Sequence, residues 1–317
     1  MKNEEIIKWL QEGDVSIQYQ VHRDLLGNEN KLLQQRISTE GWGTDFLSRR
    51  NANGHWGKGF YSPKWTSTHY TLLDLRNLCI SPDIPEIKST LNLIFMNEKG
   101  RDGGINPGKT IINSDVCING MVLNYASYFG ADESDLKSIV DFLLSQQMKD
   151  GGFNCHSNRK GSVHSSLHTT LSVIEGIFEY ARNGYKYRLN ELQKTELDSQ
   201  QFILQHRLFK SDKTGEIIDK NMLMLSYPSR WRYDILKALD YFRYAEVEYD
   251  HRMDDALEVL LKKRRQDGKW PLQHKHPGKT HFEMENCGEP SRWNTLRALR
   301  VLRDGGIDRM TGKGRMT

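Results

Sequence analysis

The chain has 317 residues, with 45 basic against 41 acidic side chains and a formal charge of +4. The charges are spread along it rather than gathered on a tail or one helix face, which argues against nucleic-acid binding and leaves an anionic substrate open. The length allows one large domain or two ordinary ones, no apolar run approaches the ~20 residues of a membrane span, and the opening "MKNEEIIKWLQEGD" lacks the basic and apolar blocks of a signal peptide. Cys79, Cys117, Cys155 and Cys287 lie far apart without a C-x-x-C, so thiols are expected rather than a disulfide frame, with metal ligation open to one or more of them. The expected location is the cytoplasm.

Helix-period segments alternate along the whole chain. Amphipathic outer helices are predicted near 2–11, 31–50, 85–98, 133–147, 190–206 and 251–265. In the fourth, "DLKSIVDFLLSQQ" puts Leu136, Ile139, Val140, Leu143 and Leu144 on one stripe. Their partners fall near 15–26, 65–79, 115–129, 164–182, 229–245 and 291–303. The example "SSLHTTLSVIEGIFEYA" is apolar over more of its circumference, as suits an inner helix packed on several sides.

A recurring turn divides the segments: "RRNANGHWG", "NEKGRDGGI", "QQMKDGGFNC", "RLFKSDKTGEI" and "KKRRQDGKW" each close on one lone aromatic or isoleucine. Gly151 and Gly152 permit the backbone that ends a helix, Asp150 is expected to bond the turn's own amides, and the apolar residue is expected to pin the reversal between hairpins. Six hairpins with buried second members predict an all-α, (α/α)6 toroid, as a single domain over 1–317 because no Pro- or Ser-rich linker divides it. An open helical superhelix is the alternative stack, disfavoured because the terminal segments are not polar caps.

The segments "DFLLSQQMKDGGF" and "EVLLKKRRQDGKW" resemble the Gln-x-x-Asp-Gly-Gly-aromatic repeats of the terpenoid cyclases and protein prenyltransferase β subunits. The repeats cover nearly the whole chain. The double-barrel cyclases of that superfamily protonate substrate with Asp-x-Asp-Asp, which "DESD" and "HRMDDA" do not match. The resemblance to the prenyltransferase subunits implies a zinc on Asp115, Cys117 and His168, from "SDVC" and "VHSSLHTTL", with a fourth position left for a substrate thiolate. Their partner subunit and their diphosphate cluster find no segment-by-segment counterpart here.

In a barrel of parallel inner helices the helix N-termini gather at one rim, where free amides and dipoles favour an anion. The residues opening these helices are polar and aromatic: Trp65, Thr68 and His69; His164 and His168; Arg230, Trp231, Arg232, Tyr233 and Asp234; and Glu289, Arg292 and Trp293. Arginine forks suit a diphosphate or carboxylate, and the aromatic faces suit an isoprenoid or its carbocation. The expected function is therefore a prenyltransferase- or terpene cyclase-like enzyme on an isoprenoid or other apolar anionic substrate, with Arg230, Arg232 and Arg292 receiving the anion. A non-catalytic lipid- or peptide-binding toroid is the alternative. A glycan-active barrel is a further one, with Asp234 and Glu289 as its carboxylate pair. "ENCGEPSRW" resembles a complement-type thioester motif, but Pro290 replaces the required glutamine. Cys155, His156 and Cys287 are a faint echo of the lanthionine cyclase zinc site.

Overall fold

In the computed structural model residues 3–108 and 111–304 are described, and they form an all-α chain in which an antiparallel pair, β1 (Trp270–Pro271) and β2 (Pro290–Ser291), supplies the only strands among the described residues. The first members of the helix pairs are α1 (Asn3–Gln11), α3 (Lys31–Arg36) with α4 (Gly41–Leu47), α6 (Pro85–Asn97), α8 (Glu133–Ser145), α11 (Leu189–Gln205) and α13 (Asp254–Lys262). The second members are α2 (Val15–Gln20, continued by a π turn over Val21–Leu25), α5 (Thr68–Asn77), α7 (Val116–Tyr128), α10 (Leu167–Arg182), α12 (Ile235–Tyr244) and α14 (Arg292–Asp304). A short α9 (Ser157–Lys160) follows α8. Eleven of the 13 residues of α7 are buried against five of the 13 in α8, so the second members are the central ones, as their patterning predicts.

Two predicted helices differ most from their expected bounds. The segment expected to be one helix over 31–50 breaks in two, because Gly41 takes φ +60° and the Asp14 carboxylate stands where its Cβ would be. Asp14 caps α2 through the Ser16 amide and receives the Trp42 amide as well, both at 2.8 Å. The helix expected from 229 begins instead at Ile235, after the extended cap residue Asp234, which accepts from the Lys237 amide at 2.8 Å. Arg230, Trp231, Arg232 and Tyr233 therefore lie on a loop, and Arg230 has φ +53°.

The repeated turn is a three-point fastener. Trp56, Ile105, Phe153 and Trp270 are fully buried. Their amides donate to a side chain of the following central helix: to Thr68 at 3.0 Å, Asn119 at 2.6 Å, Thr170 at 2.9 Å and Thr295 at 3.0 Å. The indoles of Trp56 and Trp270 also donate back to Phe46 and Leu260, ten residues upstream in each case. The turn aspartates reach further than expected: Asp150 accepts from the Ser165 amide and hydroxyl instead of the amides of its own turn, and Asp102 accepts from those of Ser114 as well as from the Gly104 amide of its turn. At the fourth turn Ile217 is 41% exposed, so this turn lacks the buried pin.

Neighbouring central helices touch in sequence order. Between α7 and α10 a Cβ on Gly120 would stand 2.6 Å from the Ser172 carbonyl oxygen, and one on Gly176 would stand 2.3 Å from that of Gly120. Backbone therefore packs on backbone, which only glycine allows. Helix α5 packs on α7, α12 on α14, and α14 on α2. Gln20 of α2 donates to the Asn77 carbonyl of α5 at 3.0 Å, and Lys237 of α12 pairs with Glu175 of α10 at 3.0 Å. Two apolar clusters fill the spaces between helices, one centred on residues such as Trp56 and Tyr125, the other on Phe202 and Trp270. No helix among the described residues is long and apolar enough to cross a membrane.

Candidate functional site

Residues from all six central helices, and from the loop before α12, line one cavity of about 110 Å³. Each helix contributes along one face: Lys237, Asp240, Tyr241 and Tyr244 from α12, and Trp293, Arg297 and Arg300 from α14, are spaced three, four or seven apart. The volume is well below the ~300 Å³ at which a pocket encloses a drug-sized ligand. It suits a small anion or a thin chain.

The walls are strongly basic. Asp240 accepts from Arg297 at 3.2 Å and from Arg300 at 2.5 Å, and Asp24 accepts from Arg300 at 2.7 Å. Arg76 pairs with Glu179, and Lys237 with Glu175. Burial raises the Asp240 carboxyl, but the two arginines outweigh it and hold the group below the usual range.

Arg230 is held differently. It is 5% exposed, its guanidinium stands 3.8 Å from Asp74 and lies over the Trp65 ring at 4.6 Å, and its Nε has no hydrogen-bond acceptor. Asp74 is 2% exposed and neither of its oxygens accepts a bond. Trp293 Nε1, Arg76 Nε and Asn124 Oδ1, all from lining residues, are likewise buried and unsatisfied. Buried polar atoms without partners are costly unless water or a ligand meets them. These lining residues thus carry three donors and one acceptor without partners.

Burial pushes the Asp74 carboxyl up to about 6, against the opposing pull of Arg230. Since the folded value lies above the ordinary one, folding takes up a proton between about pH 4 and 6, and stability from this group falls as pH rises through that window. Asp74→Asn is expected to flatten this fall, by on the order of 2–3 kcal/mol between pH 4.5 and 7 in urea unfolding curves. Unchanged pH dependence in the variant would refute the assignment.

The residues expected at the N-terminal rim are dispersed over several tasks. Arg230 and Trp293 line the chamber, and Trp293 stacks on Tyr227 with centroids 4.4 Å apart. Trp65 donates to the Pro277 carbonyl at 2.6 Å. Thr68 holds the Trp56 amide, and His69 is wholly buried beside the Tyr125 hydroxyl, its pKa lowered to about 3 by burial. His164 is exposed and its carbonyl accepts from Asn154. Trp231 meets His168 and lies under Lys64 and Arg232. The Tyr233 hydroxyl donates to the Leu208 carbonyl, and Arg292 donates to the Trp9 carbonyl at 3.0 Å instead of facing the chamber. Asp234 is a buried helix cap bonded by Ser226, whereas Glu289 is exposed and accepts from Asn286, so the structure does not bring these two carboxylates to the chamber. The helix amides expected to welcome an anion are met by the chain's own groups: Glu285 takes those of Arg292 and Trp293.

Around the expected zinc residues, the Cys117 amide donates to Cys155 Sγ at 3.1 Å, and Asp115 is the cap residue of α7. The Cys117 thiol also bonds Cys155, which raises Cys117 and lowers Cys155. His168 Nδ1 accepts the Tyr233 amide at 2.8 Å; burial, then Lys237 and Arg232, lower its pKa to about 4. Among the described residues no three His, Cys, Asp or Glu side chains are grouped to hold a metal ion.

The residues missed in the sequence are the basic ones deep in the central helices: Arg23, Arg76, Lys237, Arg297 and Arg300. The usable signal was a polar stripe at three- and four-residue spacing on helices otherwise too apolar to face water. No protein-family model matches the chain, and a search of curated proteins finds no match either.

Proposed function

We propose that the six hairpins close into an α/α toroid and that the chamber on its axis binds the anionic head of an apolar substrate, in a prenyltransferase- or terpene cyclase-like enzyme. Contacts from α2 through α5, α7, α10, α12 and α14 back to α2, around one shared cavity, support the closed ring. The observation that carries the ligand class is Arg230, a buried guanidinium facing the chamber with an unsatisfied Nε and a carboxylate no nearer than 3.8 Å. An incoming phosphate or carboxylate oxygen supplies the acceptor that Arg230 and Trp293 lack, and the aromatic wall of Tyr227 and Trp293 borders its apolar part.

Arg230→Gln is expected to weaken binding of inorganic diphosphate and of geranyl diphosphate about 10- to 100-fold in calorimetry, the range for a lost hydrogen bond to a charged group. Wild-type affinity in the variant would sink the anchor. Turnover of the geranyl compound with a thiol acceptor separates the enzyme from its alternative.

The non-catalytic reading is favoured by one observation. Glu175 and Asp240, the acidic residues in the chamber wall, are each held in an ion pair, which leaves them unsuited to proton transfer. Native mass spectrometry showing a retained, unaltered anion would select that reading.

The zinc expectation draws no support from the side-chain arrangement and is decided by metal content. Near-stoichiometric zinc that is lost in both Cys117→Ala and His168→Ala would place it at the expected residues. Metal-free protein after zinc supplementation would remove it from the reading.

A further inference from the structure

The end of the chamber where the central helices begin is roofed. The segment 272–289 between β1 and β2 crosses it, with the Pro277 carbonyl bonded by Trp65, His281 within 2.9 Å of the Thr71 hydroxyl, and Phe282 packed on Phe46 at 4.6 Å. Gly278 lies so close that a Cβ would stand 2.6 Å from the Trp65 indole. The pocket left under this roof is only about 50 Å³, and Tyr227 and Arg230 form part of the wall of both this pocket and the chamber.

The opposite end is open. A depression of about 580 Å³ lies among the C-terminal ends of the π turn, α10 and α12. Arg23, Phe178 and Tyr244 line both this depression and the chamber, so the two spaces adjoin through those side chains. Two guanidiniums lie over the Tyr244 ring, that of Arg182 at 4.6 Å and that of Arg23 at 5.8 Å from its centroid. Arg182 is exposed at the lip. Of the three arginines lining the depression, Arg23 is bound bidentately by Asp24, which also serves Arg300, and Arg243 has a partner of its own, so Arg182 is the cation best placed to meet a solute at this lip.

The axial span can be read from α10. Lys237 bonds both Glu175 and the Arg230 carbonyl, so Glu175 marks the level of the Arg230 backbone. Arg182 lies seven residues further on, or about 10 Å at 1.5 Å per residue.

We propose that ligand reaches the chamber past Tyr244 from this C-terminal rim, and that Arg182 forms a second anion subsite there. The ligand class is then a slender chain with a negative group at each end, one at Arg230 and one at Arg182, in place of an isoprenoid with a single anionic head, its middle running beside Phe178 and Tyr244. This rests on the chamber being the ligand site. It places the entrance at the rim opposite the N-terminal one, where the sequence leads an anion to be expected.

The test uses unbranched α,ω-dicarboxylates from succinate to sebacate, each beside the monocarboxylate of equal chain length, titrated calorimetrically into the full chain. A dicarboxylate spanning about 10 Å should bind roughly tenfold more tightly than its monocarboxylate. Arg182→Gln, an exposed change, should abolish that advantage and leave monocarboxylate affinity unaltered, while Arg230→Gln should weaken both. An advantage that survives Arg182→Gln, or none at any length while Arg230→Gln still weakens the monocarboxylate, overturns the rim subsite and leaves the chamber reading standing. Absence of all binding in the wild type overturns both. The entrance is checked in a Cys287→Ser background: a bulky maleimide on Glu246→Cys should slow association, and one on Lys275→Cys in the roof should not. The reverse pattern overturns the entrance.

Discussion

Trp270→Ala is expected to cost the fold about 3–5 kcal/mol, the range for removing a fully buried large aromatic side chain. The indole is 0% exposed, belongs to the cluster formed by α10 to α14, and donates to the Leu260 carbonyl at 2.8 Å. Its loss leaves a cavity and removes one of two donors from the Leu260 carbonyl, which the Lys263 amide still meets. The backbone of the same residue pairs with Ser291 and donates to Thr295, so the void opens where α13, the β ladder and α14 meet. Trp270→Phe keeps most of the packing and loses the hydrogen bond, so about 1 kcal/mol from that bond is expected, plus a smaller cavity term. Chemical denaturation of both variants decides it. A loss below about 1 kcal/mol for Trp270→Ala would mean that the turn residue is an ornament rather than a fastener.

Asp240→Ala is the second large effect, with an expected loss near 3 kcal/mol at neutral pH. Removing one partner of a buried ion pair costs about 3–5 kcal/mol because the other charge stays behind. The lower end applies here for two reasons. Asp24 continues to hold Arg300, and the side chain borders the chamber, where it keeps 14% exposure and some solvent screening. Arg297 is the cation left stranded. The native carboxyl titrates below its ordinary value, so its contribution is fully present above about pH 4 and is lost as pH falls through the depressed folded value. The wild type and Asp240→Ala should therefore converge in stability as acid is added. Parallel stability curves down to pH 2 would contradict the ion-pair account. Arg297→Met in the Asp240→Ala background should recover part of the loss, because it removes the unpaired charge.

How far the sequence could be read depended on whether a feature was local. The helices followed from apolar periodicity, because burial on one face and burial all round leave different patterns in consecutive residues. The turns followed from glycine and from the lone apolar residue after it. The break at Gly41 was not legible, since what favours it is Asp14, a side chain 27 residues earlier that caps both α2 and α4. The loop start of α12 was misread for a similar reason. "PSRWRYD" has residues that suit a helix opening, but Asp234 takes the cap and leaves Arg230 in a left-handed backbone turned toward the chamber.

The site divides along the same line. Arg230 and Trp293 were found because polar and aromatic residues at the head of an apolar helix are conspicuous. Thr68, Asp234 and Arg292 looked equally apt and proved to be a hydrogen-bond acceptor for Trp56, a cap and a surface tie. Nothing in residue type distinguishes a threonine that meets a ligand from one that receives a neighbouring amide. By itself the sequence determined that the chain is helical, that its helices come in pairs, and that one member of each pair is central. Those properties depend on side-chain patterns within a few turns. Only the tertiary structure decided which arginines face one another across the chamber, which end is roofed and which amides are already taken. Those depend on groups brought together from helices far apart in the chain, as in the bond from Arg300 to Gln20 across 280 residues.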